Sequence, residues 1–225
     1  MVDAKKIGLA AAAVVLVSLV TMYGTSYMAD FENNPRNVTQ NEIKLEDQKH
    51  PPVLGSDSAT ITIVEVGDYQ CHMCKMWFEK TRPLIIENYV NTGKVNLIFV
   101  DMPFLGNDSL PASEATYCAH DQGKYWEYHS ALFEYQQEID DGWANSNRLQ
   151  AIALNLDLNI EKFDQCMASD KHLNKINSSN QLARNEFGAN STPTFIIGST
   201  TSGDGQKIIG AHPYSTFEEI INSML

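Results

Sequence analysis

Thr60-Ile61-Thr62-Ile63-Val64-Glu65-Val66, then Cys71-His72-Met73-Cys74, then Lys75 to Asn91, is the stretch that decides the fold. The first run is apolar and β-branched and reads as a buried strand. The last reads as a helix, which Pro83 should kink. Two cysteines therefore stand where a strand turns into a helix N-terminus. Unpaired N–H groups and the helix dipole stabilise a thiolate there. The spacing also lets the two sulfurs close a reversible disulfide. That is the setting of a redox pair. A structural zinc site would need about four ligands, commonly as two Cys/His pairs, and no second close pair exists. A c-type haem site would need histidine where Lys75 stands.

Downstream, Gly93 ends the helical region and Val95 to Val100 reads as a second buried strand. The order strand–helix–strand predicts a parallel pair with a right-handed crossover. From about 109 to 187 the pattern is helical. Ala112 to Phe133 carries small and aromatic residues at helical spacing, Arg148–Leu156 and Ile160–Met167 read as short helices, and Lys171–Phe187 as another. Pro193 opens a strand, Thr194 to Ile197. A Gly-rich turn leads to Lys207-Ile208-Ile209, and a last helix covers about Ser215 to Met224.

Upstream, Lys5 and Lys6 precede an uncharged stretch from Ile7 to Ala29. At about 1.5 Å per residue it is long enough to cross roughly 30 Å of hydrocarbon. A cleaved signal segment is the competing reading, but Tyr27-Met28-Ala29 fits a small-residue cleavage site poorly. Residues 1–29 are therefore expected to be an N-terminal transmembrane anchor, with the lysines cytoplasmic. Residues 30–52 are polar and read as a tether. The folded domain is expected over 53–225, on the extracytoplasmic side.

The chain has 225 residues, a hydrophobic fraction of 43% and a net charge of −12. The core can be of ordinary size, and the acidic balance argues against nucleic-acid binding. Export suits the cysteine count. If Cys71 and Cys74 are catalytic, Cys118 and Cys166 are left to pair with each other, which would stabilise by roughly 4 kcal/mol. Two buried free thiols are the alternative.

Four stretches together resemble the DsbA-type thiol–disulfide oxidoreductases. Asp68 to Cys74 is similar to their active-site turn, and Tyr117 to His129 to the signature helices of their insertion. Ser191-Thr192-Pro193-Thr194-Phe195 is similar to their cis-proline loop. Ile209-Gly210-Ala211 with Pro213-Tyr214 is similar to their closing strand and last helix. The resemblance spans about Val53 to Leu225. It implies an α/β thioredoxin fold with an all-helical insertion, here preceded by a transmembrane helix. One departure is His72 and Met73 between the cysteines, where the best-known oxidases have proline then histidine.

Cys71 is expected to be the nucleophile and Cys74, one turn further in, the shielded resolving thiol. His72, if protonated, adds positive charge near the thiolate, and Met73 shares in tuning it. Glu65 lies on the buried strand, where a carboxylate is costly without a task or a partner. The resemblance implies that it relays protons to Cys74; a strand-end glutamate paired with lysine is the alternative. The resemblance also implies that the Thr192–Pro193 bond is cis, with the Thr192 backbone beside Cys71 to receive an extended substrate.

The reading is a monomeric, membrane-anchored enzyme that introduces disulfides into reduced exported proteins without a bound cofactor or metal. The resemblance implies a quinone-linked membrane reoxidase of DsbB or vitamin K epoxide reductase type as partner. A reductase or isomerase on the same scaffold is the nearer alternative. A copper carrier using Cys71, Met73 and Cys74 is the more distant one.

Overall fold

In the computed structural model, which describes residues 52–225, β1 (Ile61–Gly67) lies inside a four-stranded sheet of order β2-β1-β3-β4. β2 (Val95–Asp101) runs parallel to β1, as the strand–helix–strand order predicts. β3 (Thr194–Ser199) is antiparallel to β1, and β4 (Gly205–Ile209) is antiparallel to β3. Leu54 adds an isolated antiparallel bridge to Leu97. The anchor expected over 1–29 and the tether up to residue 51 lie outside the described residues. Among the described residues no helix is long and apolar enough to cross a membrane.

β1 and β2 are buried along their whole length, which is why they read as continuous apolar runs. Side chains alternate across a strand. Ile61 and Ile63 pack with Trp77, Phe195, Ile197 and Phe217, while Val64 and Val66 pack with Ile98, Val100 and Ile196 in a second cluster. Glu65 follows the parity of Ile61 and Ile63. The β3–β4 turn needs glycine on both sides: a Cβ on Gly198 would meet the Asp204 carbonyl oxygen at 2.6 Å, and one on Gly205 would meet that of Ile197 at 2.6 Å.

The helical run after the cysteines is broken as well as bent. α1 (His72–Lys80) ends at Thr81, and α2 (Arg82–Ile85) begins with Pro83 in its first turn. Proline is tolerated there because the missing N–H has no helical acceptor. A π-helical turn, Ile86–Val90, completes the segment. Thr81 Oγ1 donates to the His212 carbonyl at 3.0 Å, tying the break to the loop before α8 (Tyr214–Met224).

Five helices lie between β2 and β3: α3 (Ser109–His120), α4 (Tyr125–Tyr135), α5 (Ser146–Asn155), α6 (Ile160–Ala168) and α7 (Leu173–Asn185). The stretch of helical spacing read over Ala112–Phe133 is divided between two helices, α3 and α4. The corner falls at Gly123, whose φ of +76° suits glycine. Asn145 and Asn159 cap α5 and α6 by accepting from the Arg148 and Lys162 amides, the usual use of asparagine at a helix start.

A disulfide joins Cys118 on α3 to Cys166 on α6, across a sequence separation of 48. A loop of that size corresponds to roughly 4 kcal/mol in the chain-entropy account. Replacing both residues by alanine is expected to lower unfolding free energy by about 2–5 kcal/mol, read from denaturant midpoints of the oxidised protein and the variant. An unchanged midpoint would remove the stabilising role.

Candidate active site

Asp68, Tyr69 and Gln70 join β1 to α1, and their hydrogen bonds fix the turn. Asp68 is buried; its Oδ1 accepts from the Gln70 amide at 2.8 Å, and its Oδ2 from the Phe104 and Leu105 amides at 2.8 and 3.0 Å. The loop after β2 is thereby locked to the cysteine turn. Gln70 Nε2 donates to Ser109 Oγ at 3.0 Å and Asp140 Oδ1 at 3.1 Å, while its Oε1 accepts from the Asp140 amide at 2.7 Å. Gln136, just past α4, donates to the carbonyls of Tyr69 and, at 3.2 Å, Cys71. Its own carbonyl accepts from Lys75 Nζ at 2.8 Å. The helical insertion thus holds the turn from two directions.

Cys71 is the N-cap of α1. Its Sγ accepts from the Cys74 amide at 3.2 Å, the place a serine or aspartate oxygen takes at an ordinary helix start. Both cysteines are free thiols. Cys71 keeps 5% of its surface in solvent and Cys74 none. The Cys74 thiol and the amides of Cys74 and Met73 favour a negative sulfur on Cys71. They outweigh its burial and bring its pKa down from 9.0 to about 7. Cys74 moves the other way: burial, the Cys71 sulfur and Glu65 push its thiol well above the ordinary value. Of the two, Cys71 alone is both reachable and ready to ionise near neutral pH.

Glu65 is 4% exposed. Its register partners are Phe99 on β2 and Phe195 on β3, both buried. The carboxyl therefore lies between two aromatic neighbours, and Oε1 has no hydrogen-bond partner. Burial raises its pKa from 4.5 to about 8; Arg82 works against the rise and Cys71 adds to it. Arg82 is itself buried, its guanidinium 5.0 Å from the Phe78 ring centre and 5.7 Å from that of Trp126. Stacking on ring faces offsets part of the cost of burying that cation.

The Thr192–Pro193 bond is cis. The Thr192 carbonyl accepts from Cys71 Sγ at 3.4 Å, so the start of β3 lies against the cysteine turn. The Pro193 carbonyl accepts from the Gly210 amide at 2.8 Å. His72 is the first residue of α1 and is exposed; Met73 follows it, 43% exposed. Cys71, Cys74, Glu65 and Thr192–Pro193 thus come together, while His72 and Met73 face outward from them.

Two participants escape a reading by sequence. Arg82 left a faint signal, since it follows Phe78 and Cys74 at helical spacing on the buried stripe. Gln136 left none, because a glutamine after an aromatic helix reads as surface. His129 is fully buried, with Nδ1 3.0 Å from the Tyr69 hydroxyl and aromatic rings around it. Burial holds its pKa well below the ordinary value. It braces Tyr69, next to the turn.

A parallel β1–β2 pair, a cysteine-capped helix and a cis-proline strand start define a thioredoxin-type protein. Residues 47–223 match the family described as Thioredoxin, and the chain belongs to it. It is 32% identical over 139 residues to disulfide bond formation protein D of Bacillus subtilis, covering 56% of this chain and 63% of that protein. The chain spans 62% to 63% of the length of the Bacillus relatives it matches. Among solved structures, oxidised BdbD from Bacillus subtilis superposes with a TM-score of 0.68 at 25% identity, covering 78% of this chain and 92% of that one. Wolbachia pipientis alpha-DsbA1 gives 0.67 at 27% identity, covering 76% and 88%. The resemblance to DsbA-type proteins read from the four motifs is borne out by these likenesses.

Two titrations follow from the site. In the reduced protein, ultraviolet thiolate absorbance should rise with a midpoint near pH 7 and lose that step in Cys71→Ser. A midpoint near 9 would mean that the helix start does not activate this sulfur. Glu65 binds its proton more tightly folded than unfolded, so its contribution is full below pH 4.5 and is lost as pH rises through about 8. Glu65→Gln, isosteric with the protonated acid, should match the parent near pH 5 and exceed it at pH 8 by roughly 1–3 kcal/mol. Parallel denaturation curves at the two pH values would show that Glu65 ionises normally.

Proposed function

We propose that this chain is an extracytoplasmic dithiol–disulfide oxidoreductase that passes a Cys71–Cys74 disulfide to reduced exported proteins. The contrast between the two sulfurs carries the reading: one is activated and reachable, the other sealed and protonated. A substrate thiolate attacks Cys71 Sγ, breaking the Cys71–Cys74 bond and forming a mixed disulfide. Cys74 leaves as a thiolate and takes up a proton. A second substrate thiol, after losing its proton, attacks the substrate sulfur of the mixed disulfide and releases Cys71 as a thiolate. The substrate dithiol has then lost two electrons and the protein has gained them. A stabilised Cys71 thiolate is a good leaving group and favours the reduced protein, which makes its disulfide oxidising.

Glu65 is the group suited to supply and accept the Cys74 proton. It stays protonated up to about pH 8 and is close enough to Cys74 to push that thiol's pKa up. Thr192 and Pro193 are the substrate-binding residues in this reading, receiving an extended chain beside the sulfur. Exposed apolar side chains support unfolded polypeptide as the substrate. Met73 is on the turn, the Phe104 amide is bonded to Asp68, Tyr135 precedes Gln136, and Ile139 precedes Asp140.

Residues 1–29 would anchor the protein and 30–52 tether the domain. A quinone-linked membrane reoxidase of DsbB or vitamin K epoxide reductase type would remove the electrons. Transfer in the opposite direction, as a reductase or isomerase, is separated by the reduction potential of the Cys71–Cys74 couple against glutathione.

Cys74→Ala should accumulate mixed disulfides on non-reducing gels, formed when the Cys71 thiolate attacks a substrate disulfide, because Cys74, which would attack Cys71 Sγ and expel the substrate, is gone. Cys71→Ala should accumulate far fewer, and Cys71→Ser should not oxidise a reduced, unfolded test protein. Equal adducts through Cys74, or full activity in Cys71→Ser, would overturn the assignment of the nucleophile.

A further inference from the structure

The Cys118–Cys166 disulfide has polar company that a structural bridge does not require. Sulfur and ring-nitrogen atoms of Cys118, Cys166 and His172 all lie within 4.8 Å of one another. Asp121 Oδ2 lies 3.0 Å from His172 Nε2 and 3.8 Å from Cys166 Sγ. These residues come from three places. Cys118 and Asp121 share the last turn and end of α3, Cys166 is on α6, and His172 stands at the start of α7. Cys118 is fully buried, and the His172 side chain is only 12% exposed; the opening is on the Asp121 side, at 29%.

We propose that this pair, once reduced, is a divalent transition-metal site suited to Zn2+, with Cys118, Cys166 and His172 as ligands and Asp121 at the fourth position. Zinc takes four ligands tetrahedrally, with bonds of about 2.3 Å to sulfur and 2.0–2.1 Å to nitrogen or carboxylate oxygen. Such bonds put neighbouring donor atoms roughly 3.3–3.8 Å apart. Asp121 Oδ2 already lies 3.0 Å from His172 Nε2 and 3.8 Å from Cys166 Sγ, and the two sulfurs must part, which reduction itself produces. A Cα–Cα distance of 5.8 Å leaves the backbone free to stay in place. The donor set, two thiolates with an imidazole and a carboxylate, is one that zinc accepts and magnesium or calcium does not. Asp121 Oδ2 now accepts from His172 Nε2 at 3.0 Å and from Lys171 Nζ at 2.7 Å, and it would exchange the first of these for the metal.

The redox step balances with a dithiol as reductant. It gives two electrons and two protons to the Cys118–Cys166 bond and becomes a disulfide itself, leaving two thiols. Zinc then displaces those two protons and binds both sulfurs as thiolates, with no further electron transfer. While the metal is bound, the sulfurs cannot re-form the bridge. The site therefore fixes the reduced state of a pair that is separate from Cys71 and Cys74.

The test uses the full chain carrying Cys71→Ser and Cys74→Ser, so that Cys118 and Cys166 are the remaining thiols. The protein is reduced with a phosphine, freed of it, and titrated with Co2+ and then Zn2+. The expected result is one Co2+ per chain, with sulfur-to-cobalt charge transfer and the intense visible bands of a tetrahedral ion, both erased by Zn2+. The oxidised protein should show neither. His172→Ala should weaken binding of Co2+ at least tenfold, and Zn2+ should raise the thermal midpoint of the reduced parent but not of reduced His172→Ala. The thermal midpoint of oxidised His172→Ala confirms that the variant folds. Absence of the charge-transfer band in the reduced parent, or equal affinity in His172→Ala, would overturn the proposal. So would a reduced chain that unfolds and is not restored by Zn2+.

Discussion

The hydrogen bond from the Cys74 amide to Cys71 Sγ is the contact on which the site depends. A helix start leaves amides without partners, and a short polar side chain normally satisfies them. Here sulfur does so. The sulfur that caps α1 is the one that attacks, or is attacked, during exchange. Ionisation strengthens the cap, because a thiolate accepts better than a thiol. Local folding and chemical readiness are therefore one event. The bonds from Gln136, Asp68 and Gln70 keep the turn in the shape that allows it.

Glu65 supplies the opposite condition behind that turn. Parity places it on the face of β1 that holds Ile61 and Ile63, and register places it between Phe99 and Phe195. Arg82 tempers the carboxyl without meeting it in an ion pair. It stacks on Phe78 and Trp126 instead, leaving Glu65 Oε1 without a partner. A close ion pair would hold the acid ionised; complete isolation would hold it protonated at every working pH. The observed placement leaves its proton available near pH 8.

The sequence made legible whatever depends on local pattern. The apolar runs of β1 and β2, the cysteines at the helix start, the break at Pro83, and the helical stretch between β2 and β3 all follow from periodicity and backbone chemistry. The resemblance added the cis bond at Pro193 and the position of Thr192. What stayed hidden depends on distant residues meeting. Gln136 is ordinary until Tyr69 and Cys71 lie beside it. The corner at Gly123 divides a stretch whose small and aromatic residues keep helical spacing on both sides. His172 looks like an ordinary helix-start residue until α3 and α6 bring sulfur to it.

The Thr192 carbonyl that meets Cys71 lies 121 residues further along the chain, and the partner of Cys118 lies 48 residues further. On a chain delivered N-terminus first, Cys71 and Cys74 emerge before anything that completes their turn. Cys118 then emerges with only those two sulfurs as neighbours until Cys166 arrives. The buried state of Cys74 is thus also a matter of timing. Cys74 packs in the same cluster as Cys118 and Cys166, so its sulfur is withdrawn only as the insertion helices close around it, the step that also joins the second pair.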